Sequence, residues 1–91
     1  MMNIEKQSND VFKVIVSGSV TTQHAVIITD DVHQDLTSGR VSKEELLDFS
    51  FRFLLDREPN SSILLSFEIM VIDRYFTEYK SEVRKWCAKK V

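Results

Sequence analysis

Residues 41–58 carry a dense set of helix instructions. Ser42-Lys43-Glu44-Glu45 is a capping box, in which the Ser42 hydroxyl accepts from the Glu45 amide and the Glu45 carboxylate reaches back to the Ser42 amide. Val41 and Leu46 stand at the two positions of a hydrophobic staple. Together they predict a helix over about residues 42–57, stopped ahead of Pro59, because a proline disfavours helical geometry in the residue before it. On a helical projection Glu45, Asp48, Arg52 and Asp56 gather in about one quarter of the circumference. Leu46, Leu47, Phe49, Phe51, Phe53, Leu54 and Leu55 cover most of the rest. A helix that is apolar around most of its girth must be surrounded on at least two sides, which makes it the central element of the expected fold.

Upstream, the residue types change. Residues 1–10 are polar and show no period, so they read as a flexible tail. Val11-Phe12-Lys13-Val14-Ile15-Val16-Ser17 is rich in β-branched and aromatic residues, with Phe12, Val14 and Val16 on one face. After the breakers Ser17-Gly18-Ser19 and Thr21-Thr22-Gln23, His24–Thr29 reads as a second strand. Adjacent short strands predict an antiparallel hairpin, which needs cover on its apolar face to be stable in water. Asp30 and Asp31 then open a short helix to Thr37, and Gly39 suits the position past its end.

Downstream, Asn60 or Ser61 caps a further helical stretch from Ile63. Ile69, Ile72, Phe76, Tyr79, Val83 and Trp86 follow at alternating spacings of three and four, a seam that packs within the chain. Whether residues 68–88 make one helix or two stays open. The fold class read from these signals is α+β: a single domain over residues 11–91, with an N-terminal two-stranded antiparallel hairpin followed by three to four helices.

Composition narrows the functional classes. In 91 residues there is room for one core, and two Gly and one Pro exclude collagen-like and low-complexity chains. The longest apolar runs, such as Ile69–Ile72, are far too short to span a bilayer, so no membrane partner is expected. One cysteine, Cys87, cannot form an internal disulfide, and residues 1–7 lack the apolar core of a secretion signal; both point to the cytoplasm. Residues 30–58 hold eight acids against four bases, whereas residues 73–91 hold three acids and six bases. Amphipathic helices with charged outer faces, and basic helix ends, account for that distribution.

Three groups of residues invite a chemical reading. His24, Asp30, Asp31, His33 and Asp35 contain the donor types of a divalent-metal site, yet residues two apart on a helix diverge and no recognised ligand spacing is present. Cys87 has Lys85, Lys89 and Lys90 nearby, but no partner base. The aromatic residues from Phe49 to Trp86 fall at helix-periodic positions and read as core rather than as a stacking platform for bases. No catalytic, metal or cofactor-binding residue is therefore assigned, and the chain is not expected to be an enzyme.

Two resemblances add to this reading. His24–Thr29, the turn Ser38-Gly39-Arg40-Val41 and Ser42-Lys43-Glu44-Glu45-Leu46-Leu47 resemble the strand, turn and second helix of ribbon-helix-helix antitoxins, a dimeric bacterial repressor fold. That resemblance implies a strand laid in the DNA major groove, with His24 and Thr29 as the residues able to reach bases. The same strand holds no Lys or Arg, and its segment is acidic, opposite to the usual footprint of a DNA-binding surface. More broadly, residues 20–80 are similar to a group of small uncharacterised bacterial proteins, through Leu36–Ser42, Ser50–Leu64 and Val71–Tyr79. In that group a proline commonly stands where this chain has Thr77. This likeness implies a bacterial source and brings no activity.

The expected function is accordingly a small non-catalytic interaction or regulatory protein with a protein partner, and the alternative is an antitoxin-like DNA-binding repressor. Self-association as a homodimer is also expected, because the hairpin carries apolar Val11 and Ile15 opposite Phe12, Val14 and Val16.

Overall fold

A computed structural model describes residues 2–90. The chain runs through β1 (Met2–Lys6), β2 (Val11–Ser17), β3 (Thr21–Ile27), α1 (Asp30–Thr37), α2 (Lys43–Leu55), a short 3-10 helix (Asn60–Ser62), β4 (Ser66–Glu68), α3 (Val71–Tyr75) and α4 (Tyr79–Ala88). The strands form one mixed sheet in the order β1-β2-β3-β4. The first three are antiparallel, with Ile4 opposite Val14 and Val14 opposite His24, and β4 lies parallel to β3 with Val26 beside Phe67.

This α+β architecture corrects the expectation of a two-stranded hairpin. Residues 11–17 and 21–27 pair as the inner strands of a four-stranded sheet. The second of them runs from Thr21 to Ile27 rather than from His24 to Thr29, so Thr21-Thr22-Gln23, read as breakers, are strand residues opposite Ser17, Val16 and Ile15. Residues 2–6, read from sequence as part of a tail, instead pair with Phe12–Val16 of β2. Met2 and Ile4 are half-buried against the core, while Asn3 and Glu5 are exposed, a two-residue alternation too short to register against its polar surroundings. The stretch after Ile63, expected as a helix, becomes β4. There Phe67 and Ile69 are buried, and Ser66 and Glu68 are exposed. The physical reason is common to both: an apolar hairpin leaves two hydrogen-bonding edges, and a flanking segment with period-two apolar residues satisfies an edge while extending the buried face.

Around α2 the local rules hold. The Ser42 hydroxyl accepts from the Glu45 amide at 3.0 Å, and the Ser42 amide donates to Glu45 Oε1 at 2.9 Å. Leu46, Leu47 and Phe51 are fully buried. One cluster joins them to Phe12, Val14, Val16 and Val26 from the sheet, Leu36 from α1, and Ile72, Tyr79 and Val83 from α3 and α4. Thr29 caps α1, and the chain leaves that helix through Ser38 and Gly39, both at positive φ, where glycine is tolerated without strain.

Residues 68–88 divide into strand and two helices rather than one seam. Phe76, at φ −133° and ψ 93°, breaks the path between α3 and α4. The break lets Phe76 meet Phe53 edge-on at 5.9 Å while Tyr79 reaches across to the same ring at 5.4 Å. The outer face of the sheet, where Lys13, Ile15, Gln23, Ala25 and Ile27 point, is covered by no helix among the described residues and mixes polar with apolar side chains.

Candidate functional site

The residues singled out from sequence are dispersed into structural tasks. His24 is buried in the sheet's inner face, its ring 5.4 Å from that of Phe51. Its Nδ1 lies 2.7 Å from the Leu64 carbonyl, which can only accept, so Nδ1 carries the proton; Nε2, 2.8 Å from the Thr22 hydroxyl, then accepts from it. His33 sets Nε2 at 2.6 Å from the Val41 carbonyl. Asp30 pairs with Lys43 at 2.7 Å, and Asn9 donates to the same carboxylate at 3.2 Å. Asp31 and Asp35 are exposed on α1. Among the described residues no group of three or more His, Cys, Asp or Glu is placed to hold a metal ion.

Lys43 carries no signal in the sequence beyond its place in the capping box. It is buried, and its ammonium donates to the Asn9 carbonyl at 2.9 Å and to Asp10 at 3.2 Å as well as to Asp30. Burial alone would lower its pKa, but the hydrogen bonds and charges of the two aspartates reverse that and hold it above its ordinary value. Asp30 is correspondingly held down, first by the Lys43 hydrogen bond and then by Asn9. This cluster ties the β1–β2 turn to the starts of α1 and α2.

Cys87 is 4% exposed, and burial pushes its thiol pKa up despite the charge of Arg40, which is the wrong direction for a nucleophile. Tyr79 is fully buried. Ser50 commits its proton to the Leu46 carbonyl at 2.7 Å, so the Tyr79 hydroxyl donates to Ser50 Oγ at 2.6 Å. Desolvation drives that phenol far above its ordinary pKa. The Phe51–Phe67 and Phe53–Tyr79 ring pairs are core contacts at 6.2 Å and 5.4 Å, whereas the Phe49–Trp86 stack at 4.5 Å is half-buried at the edge of the core. The strand that would enter DNA in a ribbon-helix-helix protein is flanked on both sides by other strands, His24 points inward, and Thr29 is spent on capping α1.

What the sequence did not reveal is a groove of about 280 Å³ between the C-terminal end of α2, β4 and α3. Leu54 and Glu58 form one wall, Val71 and Tyr75 the other, with Ile63, Leu64 and Phe67 between. Leu64 is 46% exposed and Tyr75 68%, and the adjoining Leu65 is 66% exposed. The groove owes its shape to polar anchors behind it. Asn60 is buried and donates to the Val20 carbonyl at 2.9 Å and to the Thr22 hydroxyl at 3.0 Å. With the His24 bond to Leu64, these contacts pin residues 60–64 to β3 and turn the leucine side chains outward. At the other end Arg57 lies 3.6 Å over the Phe53 ring, donates to the Phe53 carbonyl and pairs with Glu78 at 3.2 Å.

The available signal for this site was the alternation Leu65-Ser66-Phe67-Glu68-Ile69, which is a strand pattern embedded in residues that also scan as helix. No helix among the described residues is long and apolar enough to cross a membrane. Comparisons of the chain with protein-family models, with curated proteins and with solved structures find no match.

Proposed function

We propose that this chain is a small non-catalytic interaction protein of the bacterial cytoplasm that holds a partner protein at the groove between α2, β4 and α3. The observation that carries the reading is the exposure of Leu64 and Tyr75 in the lining of one apolar depression, with exposed Leu65 next to Leu64 in the chain, in a domain whose other large apolar side chains are mostly buried. Contiguous exposed apolar surface of this kind marks binding sites more often than it marks chance. The non-catalytic part rests on where the reactive side chains are: His24, Tyr79 and Cys87 are enclosed, and His33 is engaged with the backbone. The bacterial and cytoplasmic parts rest on the sequence resemblance and on the single cysteine.

The test is site-specific photocrosslinking in bacterial cells, with the crosslinker placed at Leu65 or, as a control, at Gln23 on the open sheet face. A discrete heterologous protein adduct from position 65, absent from position 23, is the expected result. Adducts only from position 23 would refute the groove as the binding site. Duplex DNA binding by the pure protein at physiological salt, with a steep salt dependence, would replace this reading by the repressor alternative.

A further inference from the structure

Resting on that docking reading, we infer that the partner presents an extended segment, which adds to β4 as a fifth strand, sends alternate apolar side chains into the groove and carries a Lys or Arg for its acidic rim. β4 ends the sheet. The Leu65 carbonyl accepts from Ala25 at 2.8 Å and the Ile69 amide donates to the Ile27 carbonyl at 3.0 Å, so odd-numbered residues turn their backbone toward β3. In a parallel ladder with this register, the amides and carbonyls of Ser66 and Glu68 point away from the sheet. Both residues are exposed, and neither Lys nor Pro, the usual guards of an edge, occurs between Ser61 and Glu68.

The opposite edge differs. β1 ends in Glu5 and Lys6, and Glu5 pairs with Lys13 across the ladder. An open edge beside an apolar slot is the arrangement used in β-augmentation, where backbone hydrogen bonds hold the peptide and alternate side chains are read by pockets. Here a strand laid along Ser66–Glu68 would place every second side chain on the Phe67 side of the sheet, which is the groove.

Charge selects the segment further. Glu58 stands in the groove wall and makes no ion pair among the described residues, while Glu68, also unpaired, lies on the free edge with its side chain on the face opposite Phe67. The cation nearest in sequence, Arg57, is already committed to Glu78 and to the Phe53 ring. On α3, Asp73 and Arg74 offset one another. The uncompensated charge at the groove is therefore negative, and a basic residue in the docking segment answers it.

Selection of short random peptides displayed on phage against the folded protein, followed by synthesis of enriched sequences and fluorescence-anisotropy titration, tests this. Enriched peptides should alternate apolar residues and contain Lys or Arg. N-methylation of the peptide's edge-facing amides should weaken binding at least about tenfold, a change of roughly 1.4 kcal/mol. Ser66→Pro removes an outward N–H without touching the β3 ladder and should do the same, with circular dichroism checking the fold. Glu58→Lys should reverse the preference for basic peptides. Peptides whose binding is lost in Leu64→Asp but indifferent to N-methylation would overturn strand addition and leave groove docking intact. No enrichment, or binding indifferent to Leu64→Asp, would overturn both. A dimer in sedimentation that Leu64→Asp dissociates would give the groove to a second copy and overturn the heterologous partner.

Discussion

Two regions of this molecule are held in different ways. In α2 and the β2–β3 pair, neighbours in sequence do the work: a capping box starts the helix, period-two residues make the strands, and Leu46, Leu47 and Phe51 close on Phe12 and Val14 with no exposed surface. In residues 60–76 the elements are three to five residues long, and none of them has a side-chain cap. They are held by Asn60 and the Leu64 carbonyl, hydrogen-bonded to Thr22 and His24 of β3 some forty residues earlier, and by Ile63, Phe67, Ile69 and Ile72 in the core. The first region spends most of its apolar residues on itself, leaving Ile27 and Leu55 at its margins. The second leaves Leu64, Leu65 and Tyr75 outside. Exposed apolar surface thus lies on short elements that send Ile63, Phe67, Ile69 and Ile72 into the core and turn the residues between them outward.

The sharpest way to strain that contrast is Phe51→Ala. The ring sits between His24 at 5.4 Å and Phe67 at 6.2 Å and is fully buried, so its removal should cost about 3–5 kcal/mol and lower the denaturant midpoint of the entire domain. Asn60→Ala should cost less, about 1–3 kcal/mol, through the Val20 carbonyl and Thr22 hydroxyl that lose their donor. Its signature is local: in hydrogen exchange the amides of residues 64–68 should open while those of β2 keep their protection. Equal loss of protection in β2 would mean that the two regions are one cooperative unit. Ser42→Ala removes one half of the capping box and should cost about 1 kcal/mol, read from a thermal or urea transition, with the groove unchanged.

Acid supplies the mildest probe. Asp30 is held below its ordinary value of 3.8 by Lys43 and then Asn9, and Glu45 below 4.5 by the Ser42 amide. A carboxyl depressed in the folded state contributes stability that is complete above its unfolded pKa and is lost as pH falls through the folded one. Urea midpoints should therefore be level above about pH 5 and decline below about pH 4. Asp30→Asn should make that decline shallower, and an unchanged acid limb would show that the Lys43 cluster does not contribute to it.

The first region was largely legible in the sequence because its determinants lie within one or two turns of one another. Ser42 and Glu45 announce a helix wherever they stand, and Phe12, Val14 and Val16 announce a strand face. β1 and β4 were not legible for the complementary reason. Four or five alternating residues carry little signal alone, and what makes Met2–Lys6 or Ser66–Glu68 a strand is the edge already offered by β2 or β3. The inward placement of His24 was equally invisible, since its partners, the Leu64 carbonyl and Thr22, are chosen by the sheet's pleat and by β4. The groove inherits this. It is a product of β4, α3 and the break at Phe76, each of which is settled by tertiary contacts.

The parallel pairing of β4 with β3 also has a kinetic side. β2 and β3 are joined through residues 18–20, so their ladder closes over a short loop. The Ala25–Ser66 pairing encloses α1, α2 and the 3-10 helix before a single one of its hydrogen bonds can form. Contacts that close so long a loop are rewarded late, after the helices have collapsed onto the hairpin. The three-residue strand is then expected to dock late, when Phe67 and Ile69 enter a core the earlier elements have already formed. In the proposed strand addition, the edge offered to a partner is thereby also the part of the sheet whose pairing closes the longest loop. An arriving segment would tighten the very part of the fold that docks late.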